Sequence, residues 1–103
     1  MAADVWTLER AGRSIGEVRV DDSDFPWLHG AFVALDGFPP WAPLFAQELA
    51  LLEAGGDLGE QWEELWTRLD RDLDLVDPEG KPVESFLLHV EEGRAWFRLL
   101  RRE

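Results

Sequence analysis

The sequence predicts a two-layer α+β domain: an antiparallel sheet of about five to six strands with two helices on one face, in the order βββααβββ. Three observations predict it. Alternating apolar and polar stretches flank turn-forming residues near both ends of the chain. Two central segments repeat their apolar residues at helical spacing. The final segment folds about Glu92-Gly93 into a hairpin with one wholly apolar face. The 103 residues fit a single domain over 1–103, because domains of about 100–150 residues are the commonest size.

Val5 to Arg10 alternates with Trp6 and Leu8 on one face, Ala11-Gly12-Arg13-Ser14 supplies a turn, and Ile15 to Val20 resumes the alternation. These form a first hairpin. The cluster Asp21-Asp22-Ser23-Asp24-Phe25-Pro26-Trp27 reads as a structured loop, and Gly30 to Leu35 as a third strand stopped at Asp36-Gly37.

Prolines at 39, 40 and 43 suit only a first helical turn. From there Trp41, Phe45, Leu49 and Leu52 recur at helical spacing until Gly55-Gly56. Asp57 with Glu60 has the spacing of a capping box. The stripe Leu58, Trp62, Leu65, Trp66 and Leu69 then defines an amphipathic helix, with Glu64 and Arg68 placed for an i,i+4 pair on its polar side.

Leu73-Asp74-Leu75-Val76 is a short strand, followed by the turn residues Asp77 to Pro82. Ser85 to Glu91 and Arg94 to Arg101 flank Glu92-Gly93. Folding there puts Val90 opposite Ala95, Leu88 opposite Phe97, and Phe86 opposite Leu99 on one face. His89 meets Trp96, and Leu87 meets Arg98, on the other. Slipping by one residue would turn the apolar set outward, so the pattern sets the register.

Composition narrows the function. A hydrophobic fraction of 46% excludes a disordered chain despite the charge. No apolar run approaches the ~18 residues of a membrane span, and Met1-Ala2-Ala3-Asp4 lacks a basic signal start. The absence of cysteine excludes disulfides, thiolate metal sites and thiol catalysis. A cytoplasmic location is expected. The net charge of −12 disfavours nucleic acid and anionic lipid as partners. It is uneven: −4 over residues 1–40, −9 over 41–80 and +1 over 81–103. The acidic middle is either a solvated surface or a complement to a basic partner.

Catalytic groups are few. No nucleophile elbow, phosphate-binding loop, dinucleotide fingerprint or His-Glu-x-x-His motif is present. An enzyme would have to use Asp24, His29 and His89, because imidazole titrates near neutrality and a carboxylate can orient it or a metal. Asp21, Asp22, Asp24 and His29 otherwise form an acidic turn bonding its own amides. No cofactor or metal is expected.

The aromatic residues divide. Trp6, Trp62 and Trp66 lie on apolar stripes and read as core. Trp27 and Trp41 flank prolines, where rings anchor loops or line a groove; with Asp24 and His29 they form the candidate groove. Leu87, His89, Trp96, Arg98 and Leu100 form the second face of the last hairpin. If helices cover only the Phe86 side, this face is a partly apolar surface of the composition that interfaces use.

Asp24-Phe25-Pro26-Trp27-Leu28-His29, the Pro43-Leu44-Phe45 helix start, Glu84 to Val90 and Ala95-Trp96-Phe97-Arg98 together resemble a group of small conserved actinobacterial proteins of unknown function. The resemblance covers about Gly16 to Arg98 and implies a single-domain cytoplasmic bacterial protein, with no activity to carry over. Three functions are weighed: a non-enzymatic interaction or accessory domain using the face around Trp96, for self-association or a protein partner; an acidic inhibitor of immunity type binding a basic partner through the acids of 57–79; and a small hydrolase or metal-dependent enzyme using Asp24, His29 and His89.

Overall fold

The computed structural model describes residues 4–54 and 59–100. Six strands and two α-helices follow in the expected order. They are β1 (Asp4–Arg10), β2 (Arg13–Asp24), β3 (Trp27–Ala34), α1 (Ala42–Glu53), α2 (Gly59–Asp72), β4 (Asp74–Val76), β5 (Phe86–Glu91) and β6 (Arg94–Leu99). A 3₁₀ turn at Pro39–Trp41 leads into α1 and takes the two adjacent prolines. The capping pair Asp57 and Glu60, the helix stop at Gly55-Gly56 and stripe residue Leu58 involve positions outside the described residues.

All six strands form one antiparallel sheet in the order β4-β1-β2-β3-β6-β5. The last hairpin has the register its pattern predicts, with Phe86 opposite Leu99, Leu88 opposite Phe97 and Val90 opposite Ala95. Glu92 and Gly93 both take positive φ, 43° and 79°, as a tight two-residue turn matched to strand twist requires.

The segment expected to be a loop at Asp21–Trp27 is instead mostly strand. β2 runs to Asp24 and β3 starts at Trp27, leaving only Phe25-Pro26 at the tip. Pairing slips by one residue between Val20 and Asp22, a bulge at Asp21. The extension escapes pattern reading because Asp21 to Asp24 are exposed, so no face carries an apolar alternation. Gly30 sits where β2 lies close against β3; a Cβ there would run into the Arg19 carbonyl.

One face of the sheet packs on both helices. Leu8, Val18, Phe32, Leu75, Phe86, Leu88 and Phe97 meet Phe45, Leu65 and Leu69 in a single core. The sheet is strongly curled. Trp6 on β1 touches Phe97 on β6 with ring centroids 5.0 Å apart, although β2 and β3 lie between those strands. A flat sheet would separate them by about three strand spacings, roughly 14 Å.

The expected core tryptophans are refined. Trp6 and Trp66 are half-buried and pack against the core rather than inside it. Trp66 meets Phe86 edge-on at 5.9 Å and stacks on half-buried Trp62 at 6.4 Å. Glu64 and Arg68 share the expected spacing but form no ion pair among the described residues; Arg71 bonds Asp72 at 3.4 Å instead. Leu99, expected on the core face, is 38% exposed at the last position of β6. Among the described residues no helix is long and apolar enough to cross a membrane.

Candidate functional site

The second face of the sheet carries the candidate residues. Cross-strand pairing puts His29 and His89 on either side of Trp96, one on β3 and the other on β5. Trp27 stands on the same face, opposite Asp24 on β2, its ring 5.6 Å from that of His89. Trp96, directly across from His89 on β6, lies 5.5 Å from it, so the imidazole packs against two indole rings.

His89 departs from the expected open surface, being only 4% exposed. Its Nδ1 lies 2.7 Å from Oε1 of Glu48, which is fully buried. Trp62 Nε1–H donates to the other oxygen, Oε2, at 2.7 Å. His89 points to the face opposite Phe86 and Leu88, so Glu48 on α1 reaches it around β5, the edge strand of the sheet. Both carboxylate oxygens thus have partners, as a buried charge-bearing group requires. Sequence reasoning missed Glu48, although a signal was there. It follows Phe45 by three residues and precedes Leu49, inside the apolar stripe of α1.

Trp41 also departs from the candidate groove. It is 9% exposed, belongs to the core, and is capped by the Arg10 guanidinium 5.4 Å above its ring. Arg10 sits at the Arg13 end of β2, whereas Asp24 and Trp27 sit at the other end. The 12-residue strand separates the two places by on the order of 30 Å.

The enzyme candidates do not converge. His29 and His89 are separated by an intervening strand, roughly 10 Å between backbones, with Trp96 between them. Asp24 is exposed at the end of β2, and the Ser23 amide of that strand is bonded by Asp22 rather than Asp24. No hydrogen bond or ion pair joins Asp24, His29 and His89 among the described residues. Nor does any group of three or more His, Asp or Glu among them stand close enough to hold a metal.

What the structure does bring together is a groove at the end of the sheet. Ser23, Phe25, Pro26, Trp27, Leu28, Arg98 and Leu99 line it. Phe25 is 97% exposed at the hairpin tip, an apolar ring with almost no contact to its own chain. Arg98 lays its guanidinium 5.8 Å from the centre of the Trp27 ring. Its Nε is buried without a hydrogen-bond partner. Phe25 drew no attention in the sequence because a lone aromatic beside a proline looks like a loop anchor.

A separate ion pair ties β6 to the bulge of β2. Arg94 Nη1 and Nη2 donate to the two oxygens of Asp21 at 2.7 and 3.1 Å. Those hydrogen bonds, and then the nearby positive charge, hold the Asp21 carboxyl below its ordinary range and raise Arg94. Comparison with family models, with curated proteins and with solved structures finds no match for the chain. The fold and site therefore define a class only: a two-layer α+β domain with an aromatic groove at one end of its sheet.

Proposed function

We propose that this protein is a non-enzymatic interaction domain that docks a protein through the aromatic end of its sheet, around Phe25, Trp27, Trp96 and Arg98. The observation that carries this reading is Phe25, 97% exposed beside an apolar groove. An aromatic ring at a loop tip gains nothing for folding in that position, whereas burial in a partner would remove its surface from water. Trp and Arg side by side supply the anchors that dominate binding energy at interfaces. Leu87, Leu99 and Leu100 extend the apolar surface from the groove. A cytoplasmic bacterial setting is part of the same proposal and rests on the resemblance of the segments around Asp24–His29 and Glu84–Val90.

A second reading, the acidic inhibitor, draws on the exposed Glu60, Glu63 and Glu64 of α2. It is weaker, because Arg68 and Arg71 share that surface and dilute its field. The enzyme reading has the least support, since its three residues stay apart.

Photo-crosslinking from two positions tests the choice. A benzoylphenylalanine in place of Phe25 should give discrete adducts in native cytosol, and one in place of Glu64 should give none. Adducts from position 64 alone would favour the acidic surface and overturn the aromatic one.

A further inference from the structure

We infer that the occupant of the groove is a second copy of this chain, docked about a two-fold axis so that each Asp24-Phe25 tip enters the other's groove. The inference rests on the interaction reading above and names its partner. Three observations support it.

The first is chemical complementarity. The groove offers apolar walls, Pro26, Leu28 and Leu99, beside the Arg98 cation. An occupant must therefore present an apolar side chain next to a carboxylate. The tip of the β2–β3 hairpin presents that pair, Asp24 followed by Phe25, both exposed.

The second is charge pairing. Among the described residues Arg98 has no carboxylate within ion-pair distance, and its Nε is buried without a hydrogen-bond partner. Asp24 likewise has no cation within ion-pair distance among the described residues. A second molecule would satisfy both groups at once, and a carboxylate brought to a guanidinium in an aromatic groove is little screened.

The third is symmetry. An isologous contact uses the same patch twice, so the inserting group and the receiving groove must lie together near the axis. Phe25 is itself a wall of the groove that its copy would fill. A lipid surface fits less well, since the exposed acids Asp22 and Asp24 lie just before the ring in the same hairpin.

Sedimentation equilibrium of the full chain tests this. The wild type should show a concentration-dependent dimer. Phe25→Ser should weaken it about tenfold or more, and it cannot act by unfolding the protein because Phe25 is almost free of its own chain. Asp24→Arg and Arg98→Asp should each weaken the dimer, and the two combined should restore it. A wild type that stays monomeric at its highest soluble concentration overturns the inference, as does a dimer indifferent to Phe25→Ser. Failure of the exchanged charges to restore association overturns it too. A monomer that still crosslinks to another protein from position 25 would sink the second copy alone. Absence of any adduct there would sink the interaction reading as well.

Discussion

Glu48 and His89, 41 residues apart, meet at 2.7 Å in the interior although one belongs to a helix and the other to the far face of an edge strand. Their contact ties α1 to β5 where apolar packing gives way to a polar link. Trp62 closes the arrangement by donating to the second carboxylate oxygen, so both helices and the edge strand converge on one side chain. The pair also fixes the imidazole against the rings of Trp27 and Trp96, beside the groove.

Removing that carboxylate should be costly. Glu48→Ala leaves Trp62 Nε1–H and His89 Nδ1 without their partner, and should destabilise the protein by about 1–3 kcal/mol for each stranded group. Urea unfolding measures it. Glu48→Leu combined with His89→Phe should lose less than the two single changes added together, because neither of these two is then left without the other. The loss at Trp62 is common to the Glu48 single change and the double change. Additive losses would show that the contact does not couple the two residues.

The core and its margin should differ. Phe97 is fully buried, so Phe97→Ala should cost about 3–5 kcal/mol. Trp66 is half-buried, so Trp66→Ala should cost less, about 2 kcal/mol. Equal losses would mean that Trp66 is packed more deeply than its exposure indicates.

The Asp21–Arg94 pair carries a pH dependence of defined sign. The folded carboxyl titrates below the ordinary 3.8, chiefly because Arg94 donates hydrogen bonds to its charged form. Its contribution to stability is therefore present above pH 3.8 and fades as pH falls through the folded value. Carboxyl NMR titration should find Asp21 below its ordinary value in the wild type and back toward it in Arg94→Gln. An unchanged titration in the variant would mean that Arg94 is not the cause.

The first hairpin turn leaves stability to be gained. Ala11 adopts φ 52° ahead of Gly12 at 80°, a left-handed pair in which a Cβ-bearing residue other than Asn or Asp is disfavoured. Ala11→Asn should stabilise by about 0.5–1 kcal/mol, read as a rise in the urea midpoint. A fall would show that the turn relaxes out of this geometry.

The strands at both ends, the two helices and the register of the last hairpin were legible in the sequence. Each depends on periodicity within a short segment, and a one-residue slip of β5 against β6 would turn Phe86 and Leu88 away from the core together. Only the tertiary structure decided what lies between segments. The position of β6 beside β3 set His29 and His89 apart around Trp96, and the length of β2 took Trp41 away from Trp27. The strand character of Asp21–Asp24 came from pairing with β3, since side chains exposed on both faces leave no pattern to read. Glu48 is the sharpest case. A carboxylate in an apolar stripe looks like an interruption until the imidazole and indole that satisfy it arrive from elsewhere in the chain. Local periodicity reports which side of an element is buried; whether a buried polar group finds its partners, and which exposed ring borders which groove, depends on contacts between residues far apart in sequence.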